Sequence, residues 1–202
     1  MKVILCSLLM ILILLFTEEG WSQETNPFGK VSLGIEVGSW KPNNLSTDAS
    51  VSPFGLEGAS PYVGIFVLSP WLSSFTFRAT LGFWSQGKIA ALADIESVTL
   101  LPVMLDLKYQ LAAPSRLSPY VSYGVAAYFG SENKVKGLQA ELRRHTEMGL
   151  GVNFGAGIDL LLARHWGLGA EFRYHYAKFS KKLGLTDDYS GPKLSAGVYY
   201  LF

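Results

Sequence analysis

Three histidines, His145, His165 and His175, are the side chains of this chain best suited to metal binding or acid–base catalysis. His145 falls in a charged segment, His165 in a short turn, and His175 in a segment where apolar and polar residues alternate. Metal ligands must converge on one ion, and three unrelated segments give no reason to expect convergence. We therefore predict neither a metal site nor a bound cofactor.

Eight charged residues lie on the polar face of alternating segments, and their signs balance. Four are acids and four are bases: Glu36, Asp106, Asp159 and Glu171, and Arg78, Lys108, Arg173 and Lys193. If this face is enclosed, an unpaired charge is costly, so we predict that these residues pair, with His175 as a lumen histidine among Glu171, Arg173 and Asp159. The alternative is a solvated face of a soluble sandwich, which would carry more than one or two charges per strand.

The segments that must position these residues are about ten residues long, and apolar and polar residues alternate along each of them with a period of two. We identify eight such segments, at 30–40, 61–69, 74–84, 97–111, 119–130, 149–162, 166–179 and 193–202. Short connections join the second to the third, the fourth to the fifth and the sixth to the seventh, and the other four connections are longer. One end with short turns and one with long loops is typical of an eight-stranded antiparallel up-and-down transmembrane β-barrel.

Composition favours this barrel, with its apolar face outward, over a soluble sandwich. The chain is 49% hydrophobic and only 16% charged, whereas about a quarter of a soluble domain is charged. The face opposite the apolar one is rich in Gly, Ala and Ser, which suits a tightly curved interior. Aromatic residues gather near both ends, as in membrane girdles: Trp71, Tyr109, Tyr120, Tyr200 and Phe202 at one, and Trp40, Phe83, Trp84, Phe129 and Phe179 at the other.

The amino end predicts a cleavable signal peptide over 1–22, which leaves one barrel domain over 23–202. Lys2 precedes an apolar run over 3–16, and Gly20 and Ser22 fit the small-x-small cleavage rule. An uncleaved anchor is the alternative, although the run is short for a membrane span. Cys6, the single cysteine, lies within this run, so disulfides and thiol catalysis are not expected. The net charge of +1 gives no reason to expect nucleic acid as a partner.

Two stretches resemble small bacterial outer-membrane β-barrel domains of the OmpA/OmpW-like group. They are "VTLLPVMLDLKYQLAAPSRLSPYVSYGVAAYFG" and "DDYSGPKLSAGVYYLF", and the resemblance extends over about residues 28–202. It implies a porin-like location in the outer membrane of a Gram-negative cell envelope and insertion by the barrel-assembly machinery. In these relatives the machinery reads the terminal aromatic strand, which implies an assembly signal at Val198, Tyr200 and Phe202.

The resemblance and the residues together lead us to expect a non-enzymatic, monomeric barrel with a structural or surface-interaction role among outer-membrane lipids and lipopolysaccharide. A narrow channel or binding barrel for small hydrophobic compounds is the alternative. A lipid-modifying enzyme is a remote one, because lipid A deacylases of this size carry Ser within two residues after His, and the first serine after His175 is Ser180.

Two long loops are expected to face outward, at 41–60 and 131–148. The helix formers at 136–148 allow a short helix there. Arg143 and Arg144 suit lipopolysaccharide phosphates, and a merely solvated loop is the alternative.

Overall fold

The structure is a computed structural model that describes residues 30–44, 59–72, 74–91, 94–111, 116–136, 141–184 and 186–202. The predicted signal peptide lies outside the described residues. Within those ranges, we find no helix long and apolar enough to cross a membrane.

The described residues form nine β-strands. Their bounds are Ser32–Trp40 (β1), Ser60–Leu72 (β2), Phe75–Ala91 (β3), Asp94–Gln110 (β4), Leu117–Lys136 (β5), Glu141–Ala163 (β6), Trp166–Leu183 (β7), Thr186–Asp188 (β8) and Gly191–Leu201 (β9).

Eight of these strands close into a ring. Each strand from β1 to β7 pairs antiparallel with the next, and β9 pairs with both β7 and β1. Among the described strands, the three-residue β8 pairs with β7 alone and lies outside the ring. The predicted eight-stranded antiparallel barrel is therefore confirmed, and each of its eight described strands has a neighbour on both sides.

Alternation along each strand assigns one set of residues to the outside and the other to the inside. On β1, Leu33 and Ile35 are 51% and 55% exposed, whereas Glu36 is 3% exposed. On β4, outward residues stay apolar from Leu101 to Tyr109, close to the 9–11 tilted residues that cross a bilayer. The apolar face is therefore outward, as the composition predicted.

The aromatic rings divide between the two faces by the same rule. At the end with the short turns, Trp71, Tyr109, Tyr200 and Phe202 face outward, and at the opposite end Phe83 and Phe129 do so. The interpretation of Trp40, Trp84, Tyr120 and Phe179 as girdle residues is wrong, because their parity places them inside the barrel, where they are buried. Trp166, which sequence analysis omitted from the girdle, is exposed at the short-turn end.

Two of the predicted long loops are mostly strand. The β3–β4 hairpin continues to Ala91 and Asp94, and the β5–β6 hairpin continues to Lys136 and Glu141. The expected helix at 136–148 is wrong, because residues 141–148 belong to β6. Helix propensity is a weak preference, and pairing with β5 along an unbroken register outweighs it.

Glycines of the inner face make room for large inward side chains. A Cβ atom at Gly167 would overlap the Tyr199 ring, and one at Gly157 would lie 2.6 Å from the Tyr120 ring. An eight-stranded barrel has an interior just wide enough for side chains. The small residues and the large rings therefore fill it together.

Candidate functional site: the filled lumen

The centre of the lumen holds a network of six buried charges from five strands. Arg78 of β3 donates to Glu36 of β1 at 2.7 Å and to Glu171 of β7 at 3.1 Å. Arg173 of β7 donates to Asp106 of β4 at 2.6 Å and to Glu171 at 2.9 Å.

The network is completed by Lys193 of β9, whose Nζ donates to Glu36 at 3.0 Å. Its three acids and three bases balance, so this buried cluster carries no net formal charge.

The remaining two predicted charges form a separate pair nearer the short-turn end. Lys108 Nζ lies 2.7 Å from Asp159 Oδ2, and both residues are buried. The same Nζ lies 3.7 Å from the centroid of the Tyr120 ring, which adds a cation–π contact. The structure thus divides the eight charges into a group of six and a group of two.

Neutral side chains, which sequence analysis did not assign to the network, satisfy further oxygen atoms of the acids. Ser122 donates to Glu171 at 2.9 Å, and Tyr62 and Ser195 donate to Glu36 at 3.0 and 3.2 Å. All three residues have inward parity, so the pattern could have made them candidates. Parity alone, however, does not say which carboxylate each of them reaches.

His175 lies among aromatic rings rather than beside Asp159. The Tyr128 hydroxyl lies 3.0 Å from the Nδ1 atom of His175. The centroid of the Trp40 ring lies 4.7 Å from the centroid of the His175 ring. The ring is fully buried, and Asp159 is instead engaged by Lys108. His175 is therefore held as part of a packed interior cluster.

Apolar layers close the lumen on both sides of the charges. Toward the long-loop end, buried rings and aliphatic chains pack together: Trp40, Tyr62, Trp84, Leu100, Tyr128, Phe179, Leu183 and Tyr189. The Trp84 indole donates to the Trp40 carbonyl at 3.2 Å within this layer. Toward the short-turn end, Phe66, Leu68, Tyr199 and Leu201 form a second apolar cluster.

A small cavity remains beside the charge network. Its lining includes Glu36, Arg78, Glu171, Lys108 and Asp159. It has room for about one water molecule. Among the described residues, we find no group of three or more His, Cys, Asp or Glu side chains that could hold a metal ion.

Comparison with known protein families identifies the family to which this barrel belongs. The family described as outer membrane protein beta-barrel domain matches residues 8–202. The chain belongs to that family. It is therefore a protein of the bacterial outer membrane, and the short turns of such barrels face the periplasm. No curated protein matches the chain in sequence.

Solved structures share the fold at low sequence identity. Neisserial surface protein A is 17% identical, with 85% of this chain and 96% of that chain covered and a TM-score of 0.56. OprG from Pseudomonas aeruginosa is 15% identical, with 86% and 96% covered and a TM-score of 0.56. Ail of Yersinia pestis is 12% identical, with 86% and 97% covered and a TM-score of 0.52. These likenesses show an outer-membrane β-barrel fold.

The predicted assembly residues of this outer membrane protein beta-barrel domain lie on its lipid-facing surface. Val198, Tyr200 and Phe202 share the outward face of the β9 segment, with Phe202 64% exposed at the periplasmic end. The Phe202 amide donates to the Val31 carbonyl at 3.1 Å, which continues the pairing of this segment with β1. Their role in assembly stays a prediction.

Proposed function

We propose that this barrel has a structural or surface-interaction role in the outer membrane, with no open pore and no enzyme activity. The observation that carries the proposal is the filled lumen: apolar layers lie on both sides of a paired charge network. A hydrated solute would have to displace buried rings and break buried ion pairs in order to cross.

Catalysis finds little support in the position of His175. Its Nδ1 is engaged by Tyr128, and the ring is enclosed between the charge network and the outer aromatic layer. A catalytic base that acts on membrane lipid must reach the lipid. The rings that surround His175 keep it from doing so.

A surface role is supported by the two hairpins that rise beyond the apolar band. The β5–β6 hairpin continues past Phe129 and Met148, which are exposed at the outer edge of the band, as far as Lys136 and Glu141. We propose lipopolysaccharide as the first partner of this end, because Arg143 and Arg144 belong to the β6 part of the hairpin and guanidinium groups bind phosphates in two-point contacts.

Planar-bilayer recording of the folded, purified barrel tests the closed lumen. Heat-modifiable migration on gels first establishes that the sample is folded. We expect no discrete conductance steps. Reproducible steps from the folded species would contradict the proposal and favour the narrow channel for small hydrophobic compounds.

Titration of the barrel with purified lipopolysaccharide tests the surface role. We expect the double variant Arg143→Gln, Arg144→Gln to bind it more weakly than the wild type. The matched comparison is the double variant Arg143→Lys, Arg144→Lys, which keeps both charges but loses the two-point contact and should bind with intermediate affinity. Equal affinity in all three proteins would count against the proposed contact.

A further inference from the structure

Basic residues lie at three places on the periplasmic rim of the barrel: before β1, before β5 and in the β6–β7 turn. Lys30, Arg116 and Arg164 are exposed there, and His165 is half-buried. No side chain is acidic among the described residues of this rim. These residues are 30–31, 72, 74–75, 110–111, 116–117, 163–166 and 201–202. No acidic side chain is therefore described beside these positive charges, and the carboxylate of Phe202 is the anionic group that shares the rim with them.

Backbone hydrogen bonds place these cations along one continuous arc of the wall. The Leu161 amide donates to the Arg116 carbonyl at 2.7 Å, which joins the start of β5 to β6. The Leu201 amide donates to the His165 carbonyl at 2.9 Å, which joins β9 to the β6–β7 turn that contains Arg164.

The arc continues to β1, because the segment that follows β9 pairs with the residue next to Lys30. The basic arc, defined as Lys30, Arg116, Arg164 and His165, thus follows β5, β6, β7, β9 and β1. The opposite side of the rim, at the β2–β3 turn, offers Leu72, Ser74 and Phe75, none of which is charged.

An aromatic, lipid-facing surface lies directly against the basic arc. Trp166 is 49% exposed, and its ring packs edge-on against Tyr200 at 5.2 Å. The His165 ring also stacks on the Tyr200 ring, with 5.6 Å between the two ring centroids and an interplanar angle of 17°. Amphipathic rings mark the level of the head groups, so the cations lie where lipid phosphates lie.

We propose that the basic arc is a docking surface for anionic phospholipid head groups of the inner leaflet of the outer membrane. Charge complementarity selects this occupant, since a phosphate meets guanidinium and ammonium groups and no described acidic side chain repels it. Arginine binds phosphate through two parallel hydrogen bonds. Lipopolysaccharide is a poorer fit, because it belongs to the leaflet at the opposite end of the barrel.

Two tryptophans on opposite sides of the rim provide the test. Trp71→Phe leaves Trp166 as the exposed reporter next to Arg164 and His165, and Trp166→Phe leaves Trp71, 57% exposed, at the β2–β3 turn, where Lys30 of the neighbouring β1 is the nearest member of the arc. Trp40 and Trp84 are buried in the lumen and give the same background in both variants. The folded barrel is placed in phosphatidylethanolamine vesicles with a minor fraction of phosphatidylglycerol, and one of the two lipids carries brominated acyl chains that quench indole fluorescence.

We expect brominated phosphatidylglycerol to quench Trp166 roughly two- to five-fold more than its share of the bilayer predicts. Quenching of Trp71, which has only Lys30 of the arc near it, should exceed its share of the bilayer less than quenching of Trp166 does. The variant Lys30→Gln, Arg116→Gln, Arg164→Gln should remove the excess at Trp166, whereas Lys178→Gln with Lys182→Gln, exposed at the other end of β7, should keep it.

Raising the salt concentration should also remove the excess at Trp166 in the otherwise unaltered rim. The salt dependence tests whether anionic lipid binds at the basic arc even if the triple variant does not fold. Equal enrichment at Trp166 and Trp71, or an excess that survives both neutralisation and salt, would overturn the proposal.

Discussion

Replacing Arg173 by methionine is the sharpest single test of the charge network. The guanidinium holds Asp106 at 2.6 Å and Glu171 at 2.9 Å, and all three side chains are buried. Methionine keeps much of the side-chain length and removes the charge together with every hydrogen bond that it donates.

The cost can be worked out from the partners that remain. Glu171 keeps Arg78 and Ser122. Asp106 is 1% exposed, and its Oδ1 has no hydrogen-bond partner among the described residues. The variant therefore leaves one buried carboxylate without its cation, which lowers the free energy of unfolding by about 3–5 kcal/mol. With a urea slope of about 2 kcal/mol per M, the unfolding midpoint falls by about 2 M.

The assay is urea unfolding of the barrel in lipid vesicles, followed by tryptophan fluorescence and by heat-modifiable migration. The double variant Arg173→Met, Asp106→Leu removes both charges and restores the balance of acids and bases, so it should recover most of the lost stability. Lys178→Met, which removes an exposed cation, serves as the control and should unfold like the wild type.

An Arg173→Met barrel with the wild-type midpoint would refute the reasoning, since the buried pair would then contribute nothing. A double variant no more stable than the single one would refute it as well, because the cost would not come from the stranded Asp106.

Three further outcomes are expected. Gly167→Ala should lower the free energy of unfolding by about 1–3 kcal/mol in the same urea assay, because the new methyl group overlaps the Tyr199 ring; an unchanged midpoint would contradict the packing. Phe202→Ala should reduce the amount of barrel in the outer membrane of cells more than its refolding yield in vesicles, and equal losses would remove the case for an assembly signal. Partial burial raises the pKa of Asp188, but hydrogen bonds from Ser190 outweigh it and hold that pKa below its usual value. The stability this bond gives the β8 turn is present above about pH 4 and is lost as the pH falls through the folded-state pKa. Hydrogen exchange of the Ser190 amide should accelerate over that range, after correction for intrinsic rates, and Asp188→Asn should abolish the dependence.

The strands and their faces were predictable because alternation is a local property of the sequence. Leu33 and Ile35 face outward and Glu36 faces inward by parity alone, and a closed ring then follows from eight such strands. The extent of the β5–β6 hairpin was not predictable in this way. Its residues at 141–148 have helix-forming composition, and only the continuous register with β5 makes them strand.

The lumen shows the same division between local and global information. Parity placed four acids and four bases on one face, but it could not pair them. Arg78 on β3 meets Glu171 on β7 across the interior, and such a contact depends on strand tilt and stagger around the whole ring. His175 was predicted to lie near Asp159 because the sequence does not show which residues of different strands lie at the same level in the barrel. In the structure, His175 contacts Trp40 and Tyr128 instead.

The unbroken β5–β6 ladder has a mechanical consequence for anything held at its tip. Every residue of β5 from Leu117 to Lys136 has a partner on β6, so the same two strands form the barrel wall and the projecting hairpin. A force applied outward along the strands at Lys136 and Glu141 would pull β5 and β6 together and load in shear the hydrogen bonds that join them to β4 and β7, rather than peel those bonds apart one by one. The hairpin is thus a stiff extension of the barrel wall. Under a pulling force, a bound partner should detach before the barrel unfolds.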